Sequence, residues 1–232
     1  MKFRFLPTAT VFCLLSLPLT TAHSIFDATL EMQYFGGSVT GASTGNTSYN
    51  PKFSGYNIKP GIHFNYKLAD LILGVGPTIS IPSIKNRELA ATTISDTVTA
   101  FRYGGEIYAR WQVSKHIQPY FRFEIGKDNF KETSSGYPTI TSGPSAGTVD
   151  TSQIAEVKFS YGTVYYVIGA GLQSEILPYL DGFIFAGYSF SGKSVPEVQS
   201  FTLNGTPISN YTVNGTFSYT AFQIGGGLMF RY

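Results

Sequence analysis

From Tyr56 to Leu68 every second residue is apolar or aromatic: Tyr56, Ile58, Pro60, Ile62, Phe64, Tyr66 and Leu68. The residues between them, Asn57, Lys59, Gly61, His63, Asn65 and Lys67, are polar or small. A period of two puts the two sets on opposite faces of one strand. A second run follows, with Leu71, Leu73, Val75, Pro77, Ile79 and Ile81 against Gly74, Gly76, Thr78 and Ser80. Only Ala69-Asp70 separates the runs, which predicts a tight hairpin. Phe101, Tyr103, Gly105, Ile107, Ala109, Trp111 and Val113 alternate with Arg102, Gly104, Glu106, Tyr108, Arg110 and Gln112. Beyond a turn at 114–116, Ile117, Pro119, Phe121, Phe123 and Ile125 alternate with Gln118, Tyr120, Arg122, Glu124 and Gly126. Another strand is expected near 26–39, where Phe26, Ala28, Leu30, Met32 and Tyr34 oppose Asp27, Thr29, Glu31 and Gln33. Runs near 158–173 and 180–191 alternate less cleanly, and a bulge at Gly162 or Gly182 would shift their parity. The last run, near 216–232, ends FQIGGGLMFRY, with Phe222, Ile224, Leu228, Phe230 and Tyr232 on one face.

These eight runs predict an all-β fold: an eight-stranded, antiparallel, up-and-down β-barrel. The connections near 69–70, 114–116 and 174–178 are short. Those near 40–52, 83–97, 131–156 and 192–214 are long and rich in Ser, Thr, Gly, Asn and Pro. Short periplasmic turns and four long extracellular loops are the pattern of a transmembrane barrel. Long connections without a task are uncommon in a compact soluble domain. A soluble, lipocalin-like carrier with an apolar lumen also alternates. Side-chain volume argues against it, because an eight-stranded barrel is only just wide enough for side chains to fill. The aromatic face is therefore expected to point outward and the glycine-rich polar face inward. Tyr66 and Trp111 then fall beside short turns, with Tyr56, Phe101 and Tyr103 near the long loops, as two aromatic girdles. An open sheet edge in hydrocarbon would leave backbone groups unsatisfied, so the last strand is expected to close on the first.

Composition adds a leader. Met1-Lys2-Phe3-Arg4 is basic, Phe5 to Leu19 is apolar, and Thr20-Thr21-Ala22 is a small-residue cleavage site. Residues 1–22 read as a signal peptide and 23–232 as the barrel domain. Its removal takes away Cys13, the chain's one cysteine, and so excludes a disulfide-stapled domain. The loss of Lys2 and Arg4 brings the formal net charge from +2 to zero, which argues against a nucleic-acid partner. Charged residues make up only 13% of the chain, against roughly a quarter in soluble domains.

In these features the chain resembles the small eight-stranded outer-membrane barrels of Gram-negative-type bacteria: the OmpA membrane domain, the OmpX and Ail group, the opacity proteins and the OmpW group. The resemblance covers the whole mature chain as architecture and is sharpest at the terminus. There Phe222, Ile224, Leu228, Phe230 and Tyr232 resemble the signal read by the barrel-assembly machinery, although phenylalanine is its usual last residue. No peptidoglycan-binding domain follows in this sequence, unlike the two-domain OmpA form. The resemblance implies residence in the cell outer membrane among outer-membrane lipid and lipopolysaccharide. It also implies delivery by periplasmic chaperones and the assembly machinery, and loops available to host or surface ligands.

The lumen face carries Asp27, Glu31, Lys59, His63, Lys67, Arg102, Glu106, Arg110, Arg122, Glu124 and Arg231. Buried charges must pair, so a salt-bridge network that closes the barrel is expected, with Glu106–Arg122 as one bridge. Six bases against four acids in this set also fit a narrow, anion-preferring channel. No two histidines have metal-ligand spacing, and no catalytic, cofactor or metal site is expected. Gly74-Val75-Gly76, Gly169-Ala170-Gly171 and Gly225-Gly226-Gly227 precede no helix as a phosphate loop must, and close packing explains them. Asn204-Gly205 reads as a hairpin turn, with 201–203 and 206–208 extending strands seven and eight. The function expected is structural or surface-interacting, adhesin- or antigen-like, with the small channel as the alternative.

Overall fold

Ten antiparallel strands carry the alternating runs: β1 (Phe26–Gly41), β2 (Lys52–Leu68), β3 (Leu71–Arg87), β4 (Thr93–Trp111), β5 (Gln118–Gly136), β6 (Ala155–Leu177), β7 (Leu180–Ser191), β8 (Glu197–Leu203), β9 (Thr206–Pro207) and β10 (Phe217–Arg231). This computed structural model describes residues 26–41, 52–87, 93–114, 116–140, 143–209 and 215–232. The leader, residues 1–22, lies outside the described residues. No described helix is long and apolar enough to cross a membrane.

Strands β1 to β7 pair in sequence order, and β10 joins β7 to β1, so eight strands close into a ring. Closure runs the length of β1, from Asp27 opposite Arg231 to Gly41 opposite Phe217. The terminal aromatic completes it. The Tyr232 amide donates to the Phe26 carbonyl at 3.2 Å, and the two rings stack with centroids 5.1 Å apart. Every strand of the ring thus has a paired neighbour on both sides.

The outer wall is apolar. Leu30, Ile58, Ile62, Phe64, Val75, Ile107, Phe121, Ile168, Ile184 and Phe222 are each at least half exposed. Tyr56, Phe101, Tyr103 and Trp111 are exposed on the same face, and Tyr66 is half-buried. The core is inside the ring, where inward residues of the eight ring strands pack on one another across the lumen.

Three expectations are corrected. First, the strands outrun the clean alternation, because pairing continues where the outer face stops being apolar. β4 begins at Thr93 and β5 ends at Gly136, so much of the expected loops is paired sheet. Second, no parity shift occurs at Gly162 or Gly182: β6 keeps one register with β5 throughout, and its irregularity with β7 falls between Glu175 and Leu177. The alternation looked unclean there because Tyr165, Val167, Phe183 and Phe185 are buried inside, which puts apolar residues on both faces. Third, 201–203 does not extend the seventh strand. β6 is 23 residues long and β7 only 12, and β8 pairs with the part of β6 that β7 leaves uncovered. The Asn204-Gly205 turn between β8 and β9 is observed, with φ of 49° and 79°, as a primed hairpin turn requires.

Candidate functional site: a filled lumen and a projecting sheet

Inward residues stack in three tiers, described from the short-turn end. In the first, Arg110 lies 3.7 Å from both Asp27 and Asp181. Arg231, half-buried, reaches Asp181 at 3.1 Å and Glu175 at 3.0 Å. Gln173 and Tyr108 donate to Asp181 and Asp27 at 2.5 and 3.0 Å. Lys67 is half-buried at this end, and none of the described ion pairs includes it.

The middle tier is the densest. The Lys59 ammonium sits between Glu106 and Glu124, 2.7 Å from the latter and in close contact with the former. These two carboxylates are directly opposite each other on β4 and β5. Their repulsion makes the lysine between them necessary. Thr78 and Tyr165 donate to Glu124 at 3.2 and 2.5 Å. Arg122 binds Glu31 through two nitrogens, at 2.5 and 3.1 Å, and lies 3.5 Å over the Phe185 ring. A planar guanidinium suits both contacts. Arg122 Nε is 3.5 Å from Glu106, so the expected Glu106–Arg122 approach exists, but the closer partner is Glu31, across the lumen. His63 Nε2 lies 3.2 Å from Glu106.

In the third tier Arg102 donates to Asp128 at 2.7 and 3.1 Å and to the Tyr219 hydroxyl at 2.8 Å. Above it, Phe130 and Tyr161 stack at 4.8 Å, Phe217 meets Tyr161 at 4.1 Å, and Phe53 packs edge-on against Tyr219. These rings form an aromatic cap over the charged tiers.

The glycines of the inner face make room for this filling. A Cβ at Gly74 would overlap the Tyr108 ring, and one at either Gly169 or Gly187 would overlap Phe185. A cavity of about 20 Å³ lies within this filling, beside Glu31, His63, Glu106 and Arg122. A cavity of that size holds a water or two.

Sequence reasoning missed Asp128, Asp181 and Glu132. With them the buried acids, Asp27, Glu31, Glu106, Glu124, Asp128, Glu132 and Asp181, outnumber the buried bases Lys59, Arg102, Arg110 and Arg122. The expected basic excess is therefore not found among the described residues, and the argument for anion preference loses its premise. Among the same residues no group of three or more His, Cys, Asp or Glu is placed to hold a metal ion.

At the long-connection end β4, β5 and β6 continue past the apolar band, and β8 and β9 widen them into a projecting sheet. In the connection beyond β5, Thr139 and Val149 form an isolated antiparallel bridge beside this sheet. The Ile154 amide donates to Asn204 Oδ1 at 2.7 Å, which ties this connection to the β8–β9 turn.

No family model and no curated protein matches the chain. Solved structures of similar shape include the attachment invasion locus protein Ail of Yersinia pestis, at 14% identity, 88% of this chain, 98% of that one and a TM-score of 0.37. The outer membrane protein OprG from Pseudomonas aeruginosa is 11% identical over 90% of this chain and 98% of its own, with a TM-score of 0.40. A major outer membrane protein from Thermus thermophilus is 9% identical over 88% and 99%, with a TM-score of 0.45. The closed ring of strand pairings, rather than these low-scoring likenesses, carries the fold.

Proposed function

We propose that this chain is an integral outer-membrane β-barrel with a closed lumen, and that its projecting sheet and loops act as a surface-interaction device. The observation that carries the reading is the contrast between the two faces of one ring. The outer face is a continuous apolar and aromatic band, while the inner face is charged, paired and filled. The outward apolar stretches, such as Phe26–Tyr34 on β1 and Phe101–Trp111 on β4, are long enough for a tilted transmembrane strand, which needs about 9–11 residues. A water-soluble carrier would require the reverse arrangement. With the lumen occupied, what is left for recognition is the part beyond the band, where residues on a rigid scaffold commonly carry it.

On this reading lipid and lipopolysaccharide surround the band, and the short turns face the periplasm. The alternating Phe222, Ile224, Leu228, Phe230 and Tyr232 serve the assembly machinery and its periplasmic chaperones. Host or other surface molecules are the partners of the projecting sheet. The role is non-catalytic and uses no cofactor. Cells displaying the chain are compared with cells in which residues 137–154 are replaced by a Gly-Ser linker. Adhesion to host-cell or mineral surfaces is expected to fall while the amount of folded barrel stays the same. Equal adhesion from this variant and from one lacking the β8–β9 hairpin would overturn the surface role.

A further inference from the structure

The outward positions of β5 change chemistry in one step. Phe121, Phe123 and Ile125 are exposed and apolar, and the next three, Lys127, Asn129 and Lys131, are exposed and polar. Strand pairing sets Lys127 between Tyr103 of β4 and Val164 of β6, and Lys131 between Thr99 and Ser160. The lysines therefore begin at the level of the girdle residues Tyr103 and Phe101, which stand opposite Lys127 and Asn129, where hydrocarbon gives way to headgroups.

Between the lysines, Asn129 lies opposite Gly162. A Cβ at Gly162 would stand 3.4 Å from both Asn129 Oδ1 and Lys127 Cε. Without it the wall has a shallow recess, bordered by an ammonium stem and an amide. None of the described ion pairs includes Lys127 or Lys131. The acids nearby are Glu197, opposite Ser160, and Glu156, which already pairs with Lys158 at 3.2 Å. Lysines four residues apart on a strand stand about 13 Å apart. That spacing suits a headgroup with two phosphates better than a single anion.

We infer that Lys127, Lys131 and the Gly162 recess bind the phosphates of a diphosphorylated outer-leaflet glycolipid, whose acyl chains lie down the Phe121, Phe123 and Ile125 stripe. The inference rests on the outer-membrane reading above. Polybasic groups at a headgroup surface attract anionic lipid, and here they sit on rigid paired strands rather than on a mobile tail.

The test is native mass spectrometry of the detergent-solubilised barrel with diphosphorylated lipid A and with its dephosphorylated form. The wild type is expected to retain one phosphorylated lipid per chain and little of the dephosphorylated one. Lys127→Gln with Lys131→Gln should lower retention by about tenfold or more. Gly162→Val, which fills the recess at an exposed position, should lower it as well. The control Lys67→Gln with Lys193→Gln, the second an exposed lysine in the connection between β7 and β8, should bind as wild type. Equal retention by the Lys127/Lys131 variant, or retention independent of phosphate, would overturn the inference. Failure of the membrane reading is seen separately, as a wild-type chain that does not insert into phosphatidylcholine vesicles.

Discussion

Lys59→Met isolates the interaction on which the middle tier depends. The lysine ammonium is shared by Glu106 and Glu124, which face each other across β4 and β5. Directly opposed residues have Cβ atoms about 4.5–5.5 Å apart. Two like charges at about 5 Å, in surroundings of effective dielectric about 20, repel by about 3 kcal/mol. Arg122, 3.5 Å from Glu106, offsets part of this, but its two-nitrogen contact is with Glu31. The loss of the charge-assisted hydrogen bonds adds to the repulsion. Removing one partner of a buried ion pair costs about 3–5 kcal/mol, and that is the destabilisation expected here. The assay is urea unfolding in phosphatidylcholine vesicles, read by heat-dependent gel mobility. The account also predicts a rescue. Adding Glu124→Gln removes one of the two facing charges and keeps acceptors for Thr78 and Tyr165. The double variant should recover about 2 kcal/mol, within the usual range of coupling between touching residues. A single variant within ~1 kcal/mol of wild type, or a double variant no more stable than the single, would refute the reasoning.

The two faces give further predictions. Ile107→Arg, at a position 55% exposed on the outer wall, should destabilise the barrel folded into vesicles by about 2–4 kcal/mol; no loss would mean that this wall does not meet lipid. Gly169→Ala should cost about 1–3 kcal/mol, because Phe185 fills the space its Cβ would need and Arg122 lies on the ring. Part of that cost should be relieved when Phe185→Leu is added, as the same urea titration would read, and the rest belongs to the Ala186 carbonyl, 2.6 Å from the same Cβ. Trp111 is the chain's one tryptophan and sits at the short-turn end. Its fluorescence should shift to the blue on folding and be quenched best by bromine placed near the lipid carbonyls, and equal quenching by bromine at the bilayer centre would contradict a girdle position.

The eight ring strands and the outward direction of the aromatic face were legible because β2, β3 and the band-crossing part of β4 alternate without a break. The ends were not. Past Ile125 the outward residues become Lys127, Asn129 and Lys131, so the contrast that marks a strand disappears. The inward parity continues through Asp128, Phe130 and Glu132, all buried. Leaving the apolar band changes what the outer face must be without changing the pairing. On β6 and β7 the contrast is lost in the other direction, because Tyr165, Val167, Phe183 and Phe185 fill the lumen.

The membership of the charged set could be read from parity, but its partners could not. Arg122 and Glu31 lie on β5 and β1, four steps apart around the ring. Strand register fixes neighbours along the wall, whereas contacts across the lumen depend on how long side chains pack once the ring closes. Asp128, Glu132 and Asp181 were the missing acids, and their absence turned a paired interior into an apparent basic excess.

The most direct test of a closed lumen is electrical. The refolded chain, inserted into planar phosphatidylcholine bilayers and shown to be inserted by heat-dependent mobility, should give no discrete current steps. The described side chains of the three charged tiers and the aromatic cap fill the inside of the ring. Reproducible single-channel openings from the wild-type chain would contradict the account and make the lumen, rather than the projecting sheet, the functional part of the molecule.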